Sequence, residues 1–322
     1  MAEVDSIEKY LLQKVSSFYG FSEDEQKITQ LSSSFTQVYK LIVGGNIIII
    51  KIYNEDYKTR KDVIAEINIL KHLIEDGAHV NEPMVGIKGD YIFNIKNENR
   101  FAVGFKYFEG KEIGKLDETK NFKLGSNLAE IHAKSQDFNI VMDKPKYNID
   151  TLWDEPIKLM TPYLTVEELS YLEVLREKIL LQIEDVNLQI TKENYGVCHG
   201  DYISRNTLWD EKGSCQTIDF EFFSKGYRAY DISHYKWQLE YFNYEESYSR
   251  SSWSDFLKGY NSVRNISEQE MKLVDVSILL YHIFMAGERV KLSKILGEQF
   301  VERPFWDKCM EFLYKKEEEV FK

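Results

Sequence analysis

Apolar residues recur along this chain with two different periods, and the change from one to the other divides it. Ile7, Leu11, Val15 and Phe18 share one helical face, predicting a helix over residues 5–19 that Gly20 ends. The period then becomes that of strands. Residues 27–31, 35–43 and 47–53 read as three strands, the last two joined across Gly44-Gly45-Asn46. A second helix is predicted over about 60–74, with Ile64, Ile67, Leu70 and Ile74 as its apolar stripe. Runs at 84–87, 91–95 and 101–105 complete an antiparallel sheet, with Asn97-Glu98-Asn99 as a turn.

Beyond that point the pattern is helical. Leu124, Leu128, Ile131 and His132 mark a helix over 121–135, in which the histidine reads as packed core and not as a ligand. Thr165-Val166-Glu167-Glu168 has the form of a capping box, in which each residue's side chain caps the other's N–H, opening a helix through about 184. Ser267-Glu268-Gln269-Glu270 repeats that signature before a helix through about 286. The charge run at 315–319 reads as a solvated helix end, and no internal repeat is evident. The fold class expected is α+β: a small antiparallel-sheet part over residues 1–107 and a mostly helical part over 108–322.

Composition narrows the function classes. Hydrophobic residues at 43% and charged residues at 29% are ordinary for a globular protein. The net charge of −12 argues against a general nucleic-acid partner, which needs a basic surface to displace counterions. It is compatible with a cationic substrate, although solubility accounts for it equally well. The longest apolar run, residues 47–50, is too short for a bilayer, so no membrane partner is expected. The acidic start Met1-Ala2-Glu3-Val4-Asp5 does not resemble a signal peptide, and Cys198, Cys215 and Cys309 lack metal-ligand spacing. Both features fit reduced thiols in a cytoplasmic protein.

The chemistry concentrates in His199-Gly200-Asp201-Tyr202-Ile203-Ser204-Arg205-Asn206, followed by Ile218-Asp219-Phe220-Glu221. Asp201 is a candidate base for an attacking hydroxyl, and Asn206 and Asp219 are hard oxygen ligands suited to Mg²⁺. The run Gln216-Thr217-Ile218 reads as a short strand that delivers Asp219. Taken alone, Asp-x-x-x-x-Asn would more often be a loop in which both side chains cap turns. The second carboxylate motif at this separation changes that balance.

The pattern H-G-D-x-x-x-x-N followed by I-D-x-E resembles the aminoglycoside phosphotransferase, choline kinase and homoserine kinase superfamily, whose fold is that of protein kinases. The resemblance implies ATP- and Mg²⁺-dependent transfer of a phosphoryl group to a hydroxyl of a small-molecule acceptor. It also implies roles for residues outside the motif. Ser33 and Ser34, in the turn Ser32-Ser33-Ser34, stand where protein kinases carry a glycine-rich loop over the phosphates. Lys51, costly to bury unpaired in its apolar run, would hold ATP phosphates with Glu66 behind it. Lys106 and Phe108 lie in a hinge segment whose backbone would meet adenine. Asp231 would brace the catalytic loop, and His199 would orient it. The acidic and aromatic stretch from Trp237 to Glu246 falls where relatives build the acceptor pocket. Glu240, Glu245 and Glu246 are therefore candidates to meet an amine-bearing acceptor such as an aminoglycoside, choline or homoserine. A core-facing aromatic stripe with a solvated acidic face has the same composition. Two alternatives stand beside this one: a bacterial stress-type Ser/Thr protein kinase, and a non-catalytic binding protein on the same fold. The brief 219–231 interval, too short for an activation loop, disfavours the first, and the intact motif residues disfavour the second.

Overall fold

The computed structural model describes residues 2–33, 36–95, 99–138 and 146–322, apart from the side chains of residues 2–6 and of Ser33. It divides into two compact units, Met1–Glu75 with Val80–Glu109, and Asp76–His79 with Gly110–Lys322.

In the first unit, helix α1 (Ala2–Tyr19) packs Leu11 and Val15 against a five-stranded antiparallel sheet. Its strands are β1 (Lys27–Ser33), β2 (Gln37–Val43), β3 (Asn46–Asn54), β4 (Ile92–Asn94) and β5 (Arg100–Lys106), in the order β1-β2-β3-β5-β4. Helix α2 (Arg60–Glu75) lies between β3 and β4 in sequence. Alternation along β3 decides what each side chain does. Ile48, Ile50 and Ile52 join the core that includes Leu11 and Val15, so Lys51 and Tyr53 must point to the opposite face.

Two sequence expectations need correction here. The buried face of α2 is made by Val63, Ile67, Leu70 and Leu73 with Glu66, whereas Ile64 is 50% exposed. The stripe is rotated because the helix buries a carboxylate that apolar periodicity does not count. Residues 84–87 form no strand. Pro83 makes one bridge to Phe105 and Met84 donates to Gly104 O, after which a turn from Gly86 to Asp90 leads the chain away. The predicted turn at 97–99 lies largely outside the described residues.

The second unit is mostly helical. It contains α3 (Glu118–Lys134), a π-helical turn at Asp150–Asp154 continuing into α4 (Glu155–Met160), and α5 (Val166–Val186). Two small two-stranded sheets follow, pairing β6 (Tyr195–Cys198) with β9 (Ser224–Tyr227) and, between them in sequence, β7 (Thr207–Trp209) with β8 (Cys215–Thr217). The chain ends in α6 (Arg228–Tyr241), α7 (Glu246–Asn261), α8 (Glu268–Leu296) and α9 (Arg303–Val320).

Both capping boxes form as expected, Thr165 with Glu168 and Ser267 with Glu270. Helix α8 runs on to Leu296; its middle, residues 273–288, is buried on most sides, and the last turns continue with buried Val290 and Ser293 between exposed Arg289, Lys291 and Lys294. Helices α3 and α7 approach until backbones touch. A Cβ at Gly125 would lie 1.9 Å from Phe256 O, and one at Gly259 would lie 1.8 Å from Phe122 O. Among the described residues no helix is long and apolar enough to cross a membrane.

Candidate active site

The loop after β6 is fixed from behind by one carboxylate. Asp231, on the first turn of α6 and fully buried, accepts from His199 N at 2.5 Å and Gly200 N at 2.8 Å. It also accepts from His132 Nε2 at 2.9 Å, and that ring's Nδ1 then accepts from the Tyr260 hydroxyl at 2.8 Å. Arg264 in turn donates to the Tyr260 hydroxyl at 2.8 Å. Burial pulls the basicity of His132 down to about 4, so it serves as a neutral donor. Burial alone would raise Asp231, but the His132 hydrogen bond and neighbouring histidines hold its carboxyl at about 2. His132 is thus packed core, as its helix periodicity suggested, and also part of the loop's support.

Gly200 is required where it stands. Its φ is +87°, and a Cβ would lie 2.2 Å from Phe222 O. The glycine lets the chain turn so that Asp201 emerges beside the second motif. His199 then joins the two motifs: its Nδ1 accepts from Asp201 N at 3.2 Å and its Nε2–H donates to Ile218 O at 3.0 Å. This is the orienting role expected of it.

Asn206 completes the constellation. Its side-chain nitrogen donates to Asp201 O and to Asp201 Oδ2, both at 2.8 Å. With the nitrogen so committed, its Oδ1 faces the other way as an acceptor. The main-chain O of Asn206 accepts from Ile218 N at 2.9 Å, which anchors the strand end carrying Asp219. Asp219 itself sits in the left-handed region at φ 69° and ψ 61°. That conformation costs a non-glycine residue roughly 1–2 kcal/mol. Such strain clusters at functional sites because the surrounding bonds impose it.

Burial pushes the Asp201 carboxyl up to about 6, and the Asp219 carboxylate adds to the rise. Hydrogen bonds from the Tyr281 hydroxyl and from Asn206 oppose it.

The first unit holds a separate charged pair. Lys51 is only 8% exposed, and its Nζ lies 3.8 Å from Glu66 Oε1. The Tyr53 hydroxyl donates to Glu66 Oε2 at 3.3 Å, and its ring centroid lies 5.2 Å from Lys51 Nζ. The lysine is therefore paired and shielded, not solvated at a sheet edge. Lys106 is exposed and bridges to Glu82 at 2.6 Å, and its N–H is already given to Glu82 O. Phe108, two residues on, is half-buried. Ser33 ends β1, paired with Gln37, whereas Ser34 lies outside the described residues.

The acidic candidates downstream are dispersed. Glu240 binds Lys316 at 2.9 Å, Glu246 pairs with Arg250 on the surface of α7, and Glu245 is exposed at the start of that helix. Trp237 and Leu239 are buried in the stretch between, as a core-facing stripe would be.

Sequence reasoning missed three residues that touch this loop. His234 Nδ1 accepts from Tyr202 N at 3.0 Å, Gln238 exchanges bonds with Ser204 N and Oγ at 2.8 and 2.7 Å, and Tyr281 donates to Asp201 Oδ1. A signal existed for the first two. Asp231, His234 and Gln238 follow the i, i+3, i+7 spacing of one helix face, so three hydrogen-bonding side chains line up along α6. Tyr281 carried none: α8 holds it and Phe284 as its only Phe, Tyr or Trp, and nothing in their spacing sets the tyrosine apart.

A carboxylate bonded by a neighbouring amide, beside a strand end that carries a second carboxylate in the left-handed region, sits here on a protein-kinase-like fold. The model of the phosphotransferase enzyme family that includes aminoglycoside phosphotransferases matches residues 27–260, and the chain belongs to that family. Among curated proteins it is similar to the amicoumacin kinase of Bacillus subtilis, with 21% identity over 290 residues, covering 87% of this chain and 84% of that one. An uncharacterised protein of Synechocystis, sll1119, is 25% identical over 279 residues, covering 83% and 76% respectively. Among solved structures, an amicoumacin kinase in complex with AMP-PNP and Ca²⁺ superposes with a TM-score of 0.79 at 18% identity, covering 99% of this chain and 96% of that one. A microcompartment-associated aminopropanol kinase gives 0.74 at 16% identity, covering 96% and 98%. At these identities the two structures speak for the fold.

Proposed function

We propose that this enzyme transfers the γ-phosphoryl group of ATP to a hydroxyl of a small, amine-bearing alcohol. One observation carries the assignment. Asn206 hydrogen-bonds the Asp201 carboxylate through its amide nitrogen while its main chain anchors the strand end bearing Asp219. In this reading Asp201 Oδ1 or Oδ2 accepts the hydroxyl proton as the oxygen attacks phosphorus. Lys51, kept in place by Glu66, contacts the nucleotide phosphates. The donor set fits Mg²⁺. Asn206 Oδ1 and the Asp219 carboxylate are hard oxygens, the donor type Mg²⁺ takes. Such a site takes its remaining ligands from phosphates and water, as Mg²⁺ does in kinases. Bound there, the ion would neutralise charge on the phosphate oxygens.

The amine-bearing acceptor is supported by the relatives, which include amicoumacin, aminopropanol, choline and ethanolamine kinases by name. Of the three acidic candidates to meet the amine, Glu240 and Glu246 already hold cations of this chain, which leaves Glu245. The test is ATP consumption across a panel of amino alcohols, aminoglycosides, homoserine and neutral sugars. With the best acceptor, Asp201→Asn should abolish most turnover and spare nucleotide binding, whereas Asp219→Ala should weaken both. Near-wild-type turnover by Asp201→Asn would overturn the assignment of the base.

A further inference from the structure

Asp201 is held at both of its carboxylate oxygens, and one holder comes from a helix that no motif marks. Asn206 occupies Oδ2, at 2.8 Å, and the hydroxyl of Tyr281 on α8 donates to Oδ1. Tyr281 is itself fully buried. Its ring stacks on His234 with centroids 3.9 Å apart, and the Trp237 ring stands edge-on at 5.0 Å. His234 does not simply fill space. Its Nδ1 accepts the N–H of Tyr202, the residue next to the base, at 3.0 Å. The contacts therefore close a circuit: Asp201 Oδ1, Tyr281 hydroxyl, Tyr281 ring, His234 ring, Tyr202 N–H, and back along the chain to Asp201.

A lone carboxylate rotates about its Cβ–Cγ bond and offers its lone pairs over a range of directions. One donor, from Asn206, fixes a single oxygen, and that donor sits on the same short loop as the base. Tyr281 adds a second point anchored in α8, 80 residues away in sequence, where the loop's own motions do not carry it. Two donors of independent origin fix the carboxylate plane, and hence the direction from which a hydroxyl proton is accepted. Attack in phosphoryl transfer depends steeply on such alignment.

We infer that Tyr281 is a positioning residue for phosphoryl transfer, its hydroxyl fixing the Asp201 carboxylate against rotation so that it meets the acceptor hydroxyl in line. The inference rests on Asp201 being the base. It separates the hydroxyl from the ring: the ring packs, and the hydroxyl orients.

Tyr281→Phe keeps the stacking on His234 and removes the donor alone. Water serves as the acceptor, so that the assay follows Mg²⁺-dependent release of phosphate from ATP and needs no identified alcohol. For Tyr281→Phe the expectation is a turnover roughly 10- to 100-fold lower with an unchanged KM for ATP. A melting temperature close to wild type should accompany it. A double-mutant cycle supplies a readout that mere packing would not move. In an Asp201→Asn background the added Tyr281→Phe change should leave the residual rate where it was, because the group being oriented is gone. A wild-type rate in Tyr281→Phe, beside a large loss in Asp201→Asn, overturns the inference and leaves the base intact. The same fold loss in both backgrounds also overturns it, since the hydroxyl would then act on something other than Asp201. Retention of turnover by Asp201→Asn is the distinct failure of the base itself.

Discussion

Replacing Asp231 by Asn tests how much of the catalytic loop depends on one buried carboxylate. The side chain keeps its shape, so the change is in charge and in donors. Asp231 Oδ2 accepts from His199 N and from His132 Nε2, and Oδ1 accepts from Gly200 N. An asparagine whose oxygen takes the Oδ2 position preserves two of these contacts in neutral form. Its amide nitrogen then faces the Gly200 N–H, donor against donor. Each charge-assisted hydrogen bond contributes about 1.5–3 kcal/mol, so the three together contribute roughly 4–9. Removing the buried charge returns part of that, since desolvating a carboxylate costs several kcal/mol. The net expected loss is about 3–5 kcal/mol, a large share of the 5–15 kcal/mol typical of a domain. Tryptophan fluorescence is the right probe, because Trp153, Trp209, Trp237, Trp253 and Trp306 all belong to the second unit. Urea unfolding followed this way reports on that unit. Turnover should fall together with stability, since Gly200 and Asp201 shift with the lost contact. A loss below about 1 kcal/mol with normal turnover would refute the brace, because it would mean the loop holds its shape without the anion.

Three further outcomes follow from the same geometry. His132, His234 and His282 are buried, and burial lowers them to about 4, 3 and 4; the unfolded chain binds protons on these groups below about pH 6.5 and the folded one does not. Asp201, raised to about 6, binds one only when folded and offsets a little under ~1 kcal/mol, so stability should fall by roughly 3 kcal/mol between about pH 7 and 5.5. A flat urea midpoint over that window would contradict neutral buried rings. Glu240→Gln leaves the buried Lys316 with Glu319 at 3.2 Å as its remaining carboxylate, so it should cost about 1–3 kcal/mol in urea unfolding and leave acceptor KM unchanged. A raised acceptor KM at unchanged stability would return Glu240 to the acceptor pocket. Lys51→Ala should lower kcat/KM for ATP roughly 10- to 100-fold, with Glu66→Ala a milder copy, whereas unchanged ATP kinetics in both would make the pair purely structural.

Much of this molecule is legible one residue at a time. Local patterns specify the strand alternation that sends Ile48, Ile50 and Ile52 one way and Lys51 the other, because the strand period is a property of the backbone. The same holds for the two capping boxes and for the glycine before Asp201, each set within a few residues. The motif that carries Asp201, Asn206 and Asp219 is legible too, since its parts lie on one loop and the strand that returns beside it. Periodicity failed where burial is not a matter of polarity. It misplaced the face of α2, which buries Glu66 beside Lys51, and it ended α8 early, because the mostly buried middle of α8 gives way to final turns richer in charge that are still helical.

Packing sets how firmly each candidate residue is held, and by what. Asp231 braces the loop through three donors, one of them on α3, about 100 residues earlier in the chain. Tyr281 reaches Asp201 from α8, across the same kind of distance. Glu240, a candidate for the acceptor pocket by sequence, instead meets Lys316 of α9. None of these pairings follows from spacing, because contact between distant segments depends on how helices pack and not on the order of residues within them. Residue order alone marks the candidates for the chemistry, because they share one short loop and strand end; packing sets which way they point.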